Sequence, residues 1–201
     1  LSNVPRFEQG AYRELGLHDA VLQLLDSPHS AARSYAAEYV RTHARDLPLD
    51  RLLQLANNDN KNVRQIAADL LGARDARSDV GLEAWGKLLG SEYAHDLAAK
   101  ALREHFGAAE LTTPWFSDLL LHENRKVVEF AAELLPKVHS DAKLGTAFYC
   151  NLVESKQATR MSTRLALNAL ERFEKGQIDS EFMRVNLLNP QATNRLQDWL
   201  T

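Results

Sequence analysis

Apolar residues along this chain fall into two alternating kinds of segment, and both carry the three-and-four spacing of a helix with one buried stripe. One kind is centred on a pair of small residues: Ala36-Ala37, Ala67-Ala68, Ala98-Ala99, Ala131-Ala132 and Ala166-Leu167, at successive spacings of 31, 31, 33 and 35 residues. Tyr35, Ile66, Leu97, Phe130 and Leu165 precede the pair, and Tyr39-Val40, Leu70-Leu71, Ala101-Leu102, Leu134-Leu135 and Ala169-Leu170 follow it. The other kind comes before each of these: Leu17 to Leu25, Leu49 to Ala56, Leu82 to Leu89, Trp115 to Leu121 and Leu144 to Val153. Polar turns such as Asn57-Asn58-Asp59-Asn60-Lys61 and His122-Glu123-Asn124-Arg125 separate the two, and their side chains suit free helix-start amides. The pattern predicts an all-α chain of about five to six outer-then-inner helical hairpins stacked as a right-handed α-α superhelix.

The expected units run over 17–47, 48–79, 80–110, 111–142 and 143–177, with a partial one at 178–201, as a single array over 1–201. In the partial unit, Phe182 to Leu188 is expected as an outer helix, Asn189-Pro190 as a cap and Arg195 to Leu200 as an inner helix. Val4 to Gly16 is less regular and reads as an incomplete helix. Thr113-Pro114 reads as a helix cap and first position, Gly72 and Gly107 as helix stops, and Pro136 as a kink or early end. Small side chains let helix axes approach to the near end of the usual range of about 8–10 Å, which accounts for the alanines as a packing seam.

Val63, Arg64, Ala67, Ala68, Leu71 and Gly72, following a polar turn, resemble the inner helix of HEAT and HEAT-like repeats, and the resemblance extends from Leu17 to about Leu200. The unit is shorter than the roughly 40 residues of standard HEAT repeats. The Val-Arg pair is intact once; Ala32-Arg33 keeps the arginine, and later units have Ala94-His95, Val127-Val128 and Ser162-Thr163. Arg33 and Arg64, like HEAT arginines, are expected to pair with turn acids such as Asp26 or Asp59. The Trp-Leu-Gly and Tyr positions of tetratricopeptide repeats do not recur. The phrases His43 to Pro48 and Leu111 to Phe116 resemble helical regions of large bacterial multidomain proteins with a WGR module, of which Trp85-Gly86-Lys87 is a partial echo. The resemblance implies a non-catalytic scaffold segment of such a protein, and a start without Met together with an end in apolar Leu196 to Leu200 fits a piece of a longer chain.

Composition narrows the function classes. With 45% hydrophobic and 25% charged residues, the chain matches a folded domain rather than a disordered one. A single cysteine, Cys150, fits a reducing cytoplasmic setting, and no apolar run reaches membrane-spanning length. The net charge of -3 works against a default of nucleic-acid binding, which needs several phosphates neutralised.

The exposed face of the inner helices is the natural recognition surface. Its positions are Ser34, Gln65, Asp96, Glu129 and Arg164, with Glu38, Asp69, Lys100, Glu133 and Asn168 four residues on. The signs are mixed and acids outnumber bases, which favours another protein, or another domain of the same chain, over nucleic acid. No membrane, small-molecule substrate, metal or cofactor is indicated. The histidines lack an HExxH pattern or Cys/His companions at ligand spacing, and His43, His105 and His139 fall near inner-helix ends, where a donor suits the negative pole. Cys150 reads as a buried thiol, and Trp85, Trp115-Phe116 and Trp199 as core. The alternative is a nucleic-acid-associated module or an alkylpurine DNA glycosylase-like enzyme, with Asp96 or Glu129 as the acid and Trp115 as the base platform.

Overall fold

A computed structural model of the chain describes residues 6–186, whose regular elements are all helices with no strand among them. The expected Trp199, the Asn189-Pro190 cap and the helix from Arg195 lie outside the described residues. The contacts gather into two compact units, Leu1–His105 and Phe106–Thr201.

In the first unit, a 3-10 turn at Arg6–Ala11 precedes α1 (His18–Gln23), α2 (Ser30–His43), α3 (Leu49–Ala56), α4 (Lys61–Gly72), α5 (Leu82–Leu89) and α6 (His95–His105). Helix α3 packs against α4 and α5 against α6 as hairpins, and α2 and α4 pack side by side. The turn before α4 does two jobs. The Asn60 side chain caps the helix, accepting from the amides of Asn62 at 2.9 Å and Val63 at 3.3 Å, and its own amide donates to Ser30 Oγ at the start of α2 (3.1 Å). Asn62 Nδ2 also donates to Ser34 Oγ at 3.0 Å, so α2 and α4 are joined by polar contacts as well as by packing.

The second unit contains α7 (Thr113–Leu120), α8 (Arg125–Val138), α9 (Asp141–Glu154), α10 (Arg160–Leu170) and α11 (Ser180–Asn186). Helices α7/α8 and α9/α10 form the hairpins, with α8 against α10 and α7 against α9. Asn124 caps α8 through Lys126 N (3.0 Å), and Thr159 and Ser162 form a reciprocal capping box on α10. Buried His139, directly after α8, donates from Nε2 to the Leu111 carbonyl (2.7 Å) and presents its ring edge-on to Phe116.

The first alanine of every pair, Ala36, Ala67, Ala98, Ala131 and Ala166, has 0% exposure. The second position is not uniform: Ala37, Ala99 and Leu167 are buried, whereas Ala68 and Ala132 are half-exposed. Within each unit the packing seam is therefore the leading alanine, and the residue after it sits at the seam's edge.

Several local expectations are corrected. Tyr35 is not on the buried stripe; it is 40% exposed and shares a hydroxyl hydrogen bond with Tyr12 (2.9 Å). The cap of α7 is Thr112, with Pro114 inside the first turn. Helix α8 does not end early at Pro136 but continues past it to Val138. Helix α4 does end at Gly72, but the left-handed backbone is at Gly16, Gly81 and Gly145. Gly145 (φ 73°, ψ 167°) breaks α9 after its first turn, and Gly81 (φ 85°, ψ 157°) joins a single π-turn at Ala76–Val80 to α5. These conformations are essentially restricted to glycine.

Candidate partner-binding groove

The ten residues of the inner-helix row lie on the solvent side of their helices: Ser34 is half-buried and the other nine are exposed. Much of the row is engaged along its own helix. Glu38 pairs with Arg41 (3.3 Å), Gln65 donates to Asp69 (2.9 Å), and Lys100 lies 4.0 Å from Glu104. Glu129 pairs with Arg125 and Glu133 with Lys137, both at 2.7 Å. Exposed pairs of this kind contribute little to stability and leave the residues available to solvent.

In the second unit the row becomes more than a face. Glu129 on α8 and Arg164 and Asn168 on α10 line one groove of about 450 Å³, together with apolar side chains that include Leu135, Pro136 and Leu165. It opens beside a second hollow of about 550 Å³ bounded by Glu123, Arg125, Val128, Thr159 and Arg160, and Met161 and Arg164 belong to both. The two hollows lie where α8 and α10 pack, with the half-exposed Ala132 in the groove wall. A small residue at this edge of the seam leaves the space a larger one would fill.

One wall is held rigid by a charge network. Tyr149 donates its hydroxyl to Asp141 Oδ1 (2.5 Å), and Arg172 Nε donates to Asp141 Oδ2 (2.7 Å). Burial, then the hydrogen bond to Asp141, pushes the Tyr149 hydroxyl well above the ordinary tyrosine value, so it remains a neutral donor. Both carboxylate oxygens of Asp141 are occupied by these donors, and the group orients its neighbours. By contrast, Arg160 and Arg164, one helical turn apart on the exposed side of α10, have no carboxylate within ion-pair distance among the described residues.

Sequence reasoning named Glu129, Arg164 and Asn168 but missed Arg160, Met161 and the Asp141-Tyr149-Arg172 network. A partial signal for Arg160 was present: moving the row back by one turn gives Ser30, Lys61, Glu92, Arg125 and Arg160, basic in three of five units.

The other candidates take separate places. Arg33 donates to the Ser27 carbonyl (2.9 Å) and lies 3.6 Å from Asp59, while Asp26 pairs with Arg51 at 2.5 Å instead. Arg64 uses the carbonyls, not the carboxylate, of its turn. Glu129 is in the groove, but Trp115 is absent from its lining and packs edge-on against Phe116 at the base of α7. Trp85 is buried and donates to the Ala76 carbonyl (3.1 Å). Cys150 is buried, and desolvation, with Glu154 and Asp179 nearby, pushes its thiol up to about 11. His18 is hydrogen-bonded to the Tyr39 hydroxyl (2.8 Å), His95 to the Leu89 carbonyl (2.7 Å), and His122 accepts from the Asn124 amide (2.9 Å). Among the described residues no three His, Cys, Asp or Glu side chains gather as metal ligands, and no helix is long and apolar enough to cross a membrane.

Compared with family models, with curated proteins and with solved structures, the chain has no significant match.

Proposed function

We propose that this chain is a HEAT-like α-solenoid segment of a larger cytoplasmic, bacterial multidomain protein, and that it is a non-catalytic scaffold binding another protein, or another domain of the same chain, through the exposed face of its inner helices. The observation that carries this reading is the convergence of Glu129, Arg164 and Asn168, from the two packed helices α8 and α10, on one groove that apolar side chains also line. Grooves between packed helices are common sites for docking of a partner segment. The carboxylates of this groove support binding rather than proton transfer, since Glu129 is held by Arg125 and Asp141 by Tyr149 and Arg172. Solenoid repeats present such faces along their length, and side chains placed there vary without disturbing the seam.

The test is affinity capture with the whole chain against its charge-reversed forms. The reading predicts that a specific protein is retained by the wild type and by Asp118→Lys on the outer helix α7. It is lost from Arg164→Glu/Asn168→Trp, which changes both the charge and the room of the groove on α10. Retention by the inner-face variant with loss from the outer one would place binding on the other surface.

A further inference from the structure

We infer that the α8–α10 groove takes an acidic, apolar-containing peptide segment, whose carboxylates are read by Arg160 and Arg164 and whose apolar side chains lie along Met161 and Leu165. This deepens, and rests on, the reading of the inner-helix face as a protein-binding surface.

Charge complementarity selects the occupant. The chain as a whole is acidic, with a net charge of -3, yet the groove holds two exposed arginines that no described carboxylate neutralises. The remaining charges of the lining are largely satisfied in place: Arg125 is held by Glu129, and Arg172 by Asp141. A ligand carboxylate is therefore attracted to the stretch of the trough held by Arg160 and Arg164. An arginine fork matches a carboxylate in two parallel hydrogen bonds, and two arginines a turn apart can read acids at neighbouring positions of an extended segment.

The shape supports a chain molecule. Two hollows of about 450 and 550 Å³ adjoin through Met161 and Arg164, giving an elongated open trough instead of a closed cavity for a compact ligand. Met161 lies at the junction, and its unbranched thioether adapts to apolar side chains of different shape. A nucleic-acid strand gains its affinity from many neutralised phosphates, and two arginines beside Glu123 offer few of these, whereas one or two peptide carboxylates need no more than this pair.

The test pans phage-displayed random dodecamer peptides on the whole chain, then titrates the selected peptides, fluorescein-labelled, by anisotropy. A labelled single-stranded DNA oligonucleotide is titrated in parallel at low salt. Expected are peptides rich in Asp or Glu interspersed with apolar residues. Their binding weakens about tenfold or more in Arg160→Glu/Arg164→Glu, as for loss of a charge-assisted contact. It is lost in Asn168→Trp, an exposed substitution that fills the groove; Ala132→Trp provides a second block, and thermal melting checks that each variant folds. Neutral or basic peptides that are lost in the blocked variants but indifferent to arginine reversal would overturn the acidic ligand while keeping the groove. Peptides that bind the blocked variants as well as wild type, or no selection at all, would overturn the surface itself. Oligonucleotide binding that depends on Arg160 and Arg164, without peptide selection, would overturn the proposal in favour of nucleic acid.

Discussion

The guanidinium of Arg64 lies 4.4 Å from the centroid of the Tyr93 ring, at the turn before α6, while its Nη1 donates to the Asn58 and Asp59 carbonyls, both at 2.8 Å. One arginine at an inner-helix start thus closes its own turn and reaches the turn of the next hairpin. Arg33 does the same one hairpin earlier, holding the Ser27 carbonyl and reaching Asp59. Charged donors on backbone carbonyls contribute about 1.5–3 kcal/mol, and an exposed cation-ring contact about 0.5–1 kcal/mol. Arg64→Ala is expected to destabilise the chain by roughly 2 kcal/mol in urea unfolding. Arg64→Lys should recover less than half of this, because an ammonium cannot reproduce the planar fork. Full recovery by lysine would show that charge alone matters there.

The seam gives a sharper contrast between neighbours. Ala67→Leu places a large side chain where exposure is 0%, and overpacking is expected to cost about 1–3 kcal/mol. Ala68→Leu, at the half-exposed edge of the same helix, should change stability by no more than about 0.5 kcal/mol. Equal effects in thermal melts would contradict the assignment of the seam to the leading alanine.

Two glycines without neighbours near an added Cβ separate backbone strain from packing. Gly145→Ala meets no atom but must hold φ 73°, ψ 167°, a region essentially closed to alanine, so a loss of about 1–3 kcal/mol is expected. Gly86→Ala, inside α5, likewise meets nothing and should gain about 0.5–1 kcal/mol through reduced chain entropy and better helix propensity. Chemical denaturation of the two variants checks the opposite signs.

Cys150 provides a pH test. Its thiol is raised from 9.0 to about 11 by burial, so the unfolded chain loses this proton at lower pH than the folded one. Stability from this group is complete below pH 9 and falls as pH rises from about 9 to about 11, where the unfolded thiolate is favoured. Cys150→Ala should remove that part of the alkaline loss, leaving what begins higher with Tyr149. At pH 8, modification by a thiol reagent should be slow in the native chain and fast in denaturant; equal rates would show that the thiol is accessible.

Helix positions were legible because burial imposes a period on the sequence. Helices α3 and α5 occupy Leu49–Ala56 and Leu82–Leu89, the same bounds that their apolar runs predict, and the leading alanines are fully buried. Tyr35 was misplaced because an aromatic residue at a stripe position can instead use its hydroxyl at the surface, and its partner Tyr12 lies in the irregular opening segment. The break at Gly145 was hidden because a glycine inside an apolar run carries no mark of its φ. The groove was half legible. Periodicity places Glu129, Arg164 and Asn168 on a common face, but the convergence of α8 and α10 and the Asp141-Tyr149-Arg172 network depend on contacts between helices that no single helix's pattern encodes.

The most direct test of the inner-helix account is a map of backbone amide shifts in the ¹⁵N-labelled chain during titration with a selected acidic peptide. The account predicts saturable changes clustered at Glu129, Ala132, Met161, Arg164 and Asn168, with the outer helices α7 and α9 little affected on their solvent sides. Changes concentrated on those outer helices, with α8 and α10 silent, would contradict it.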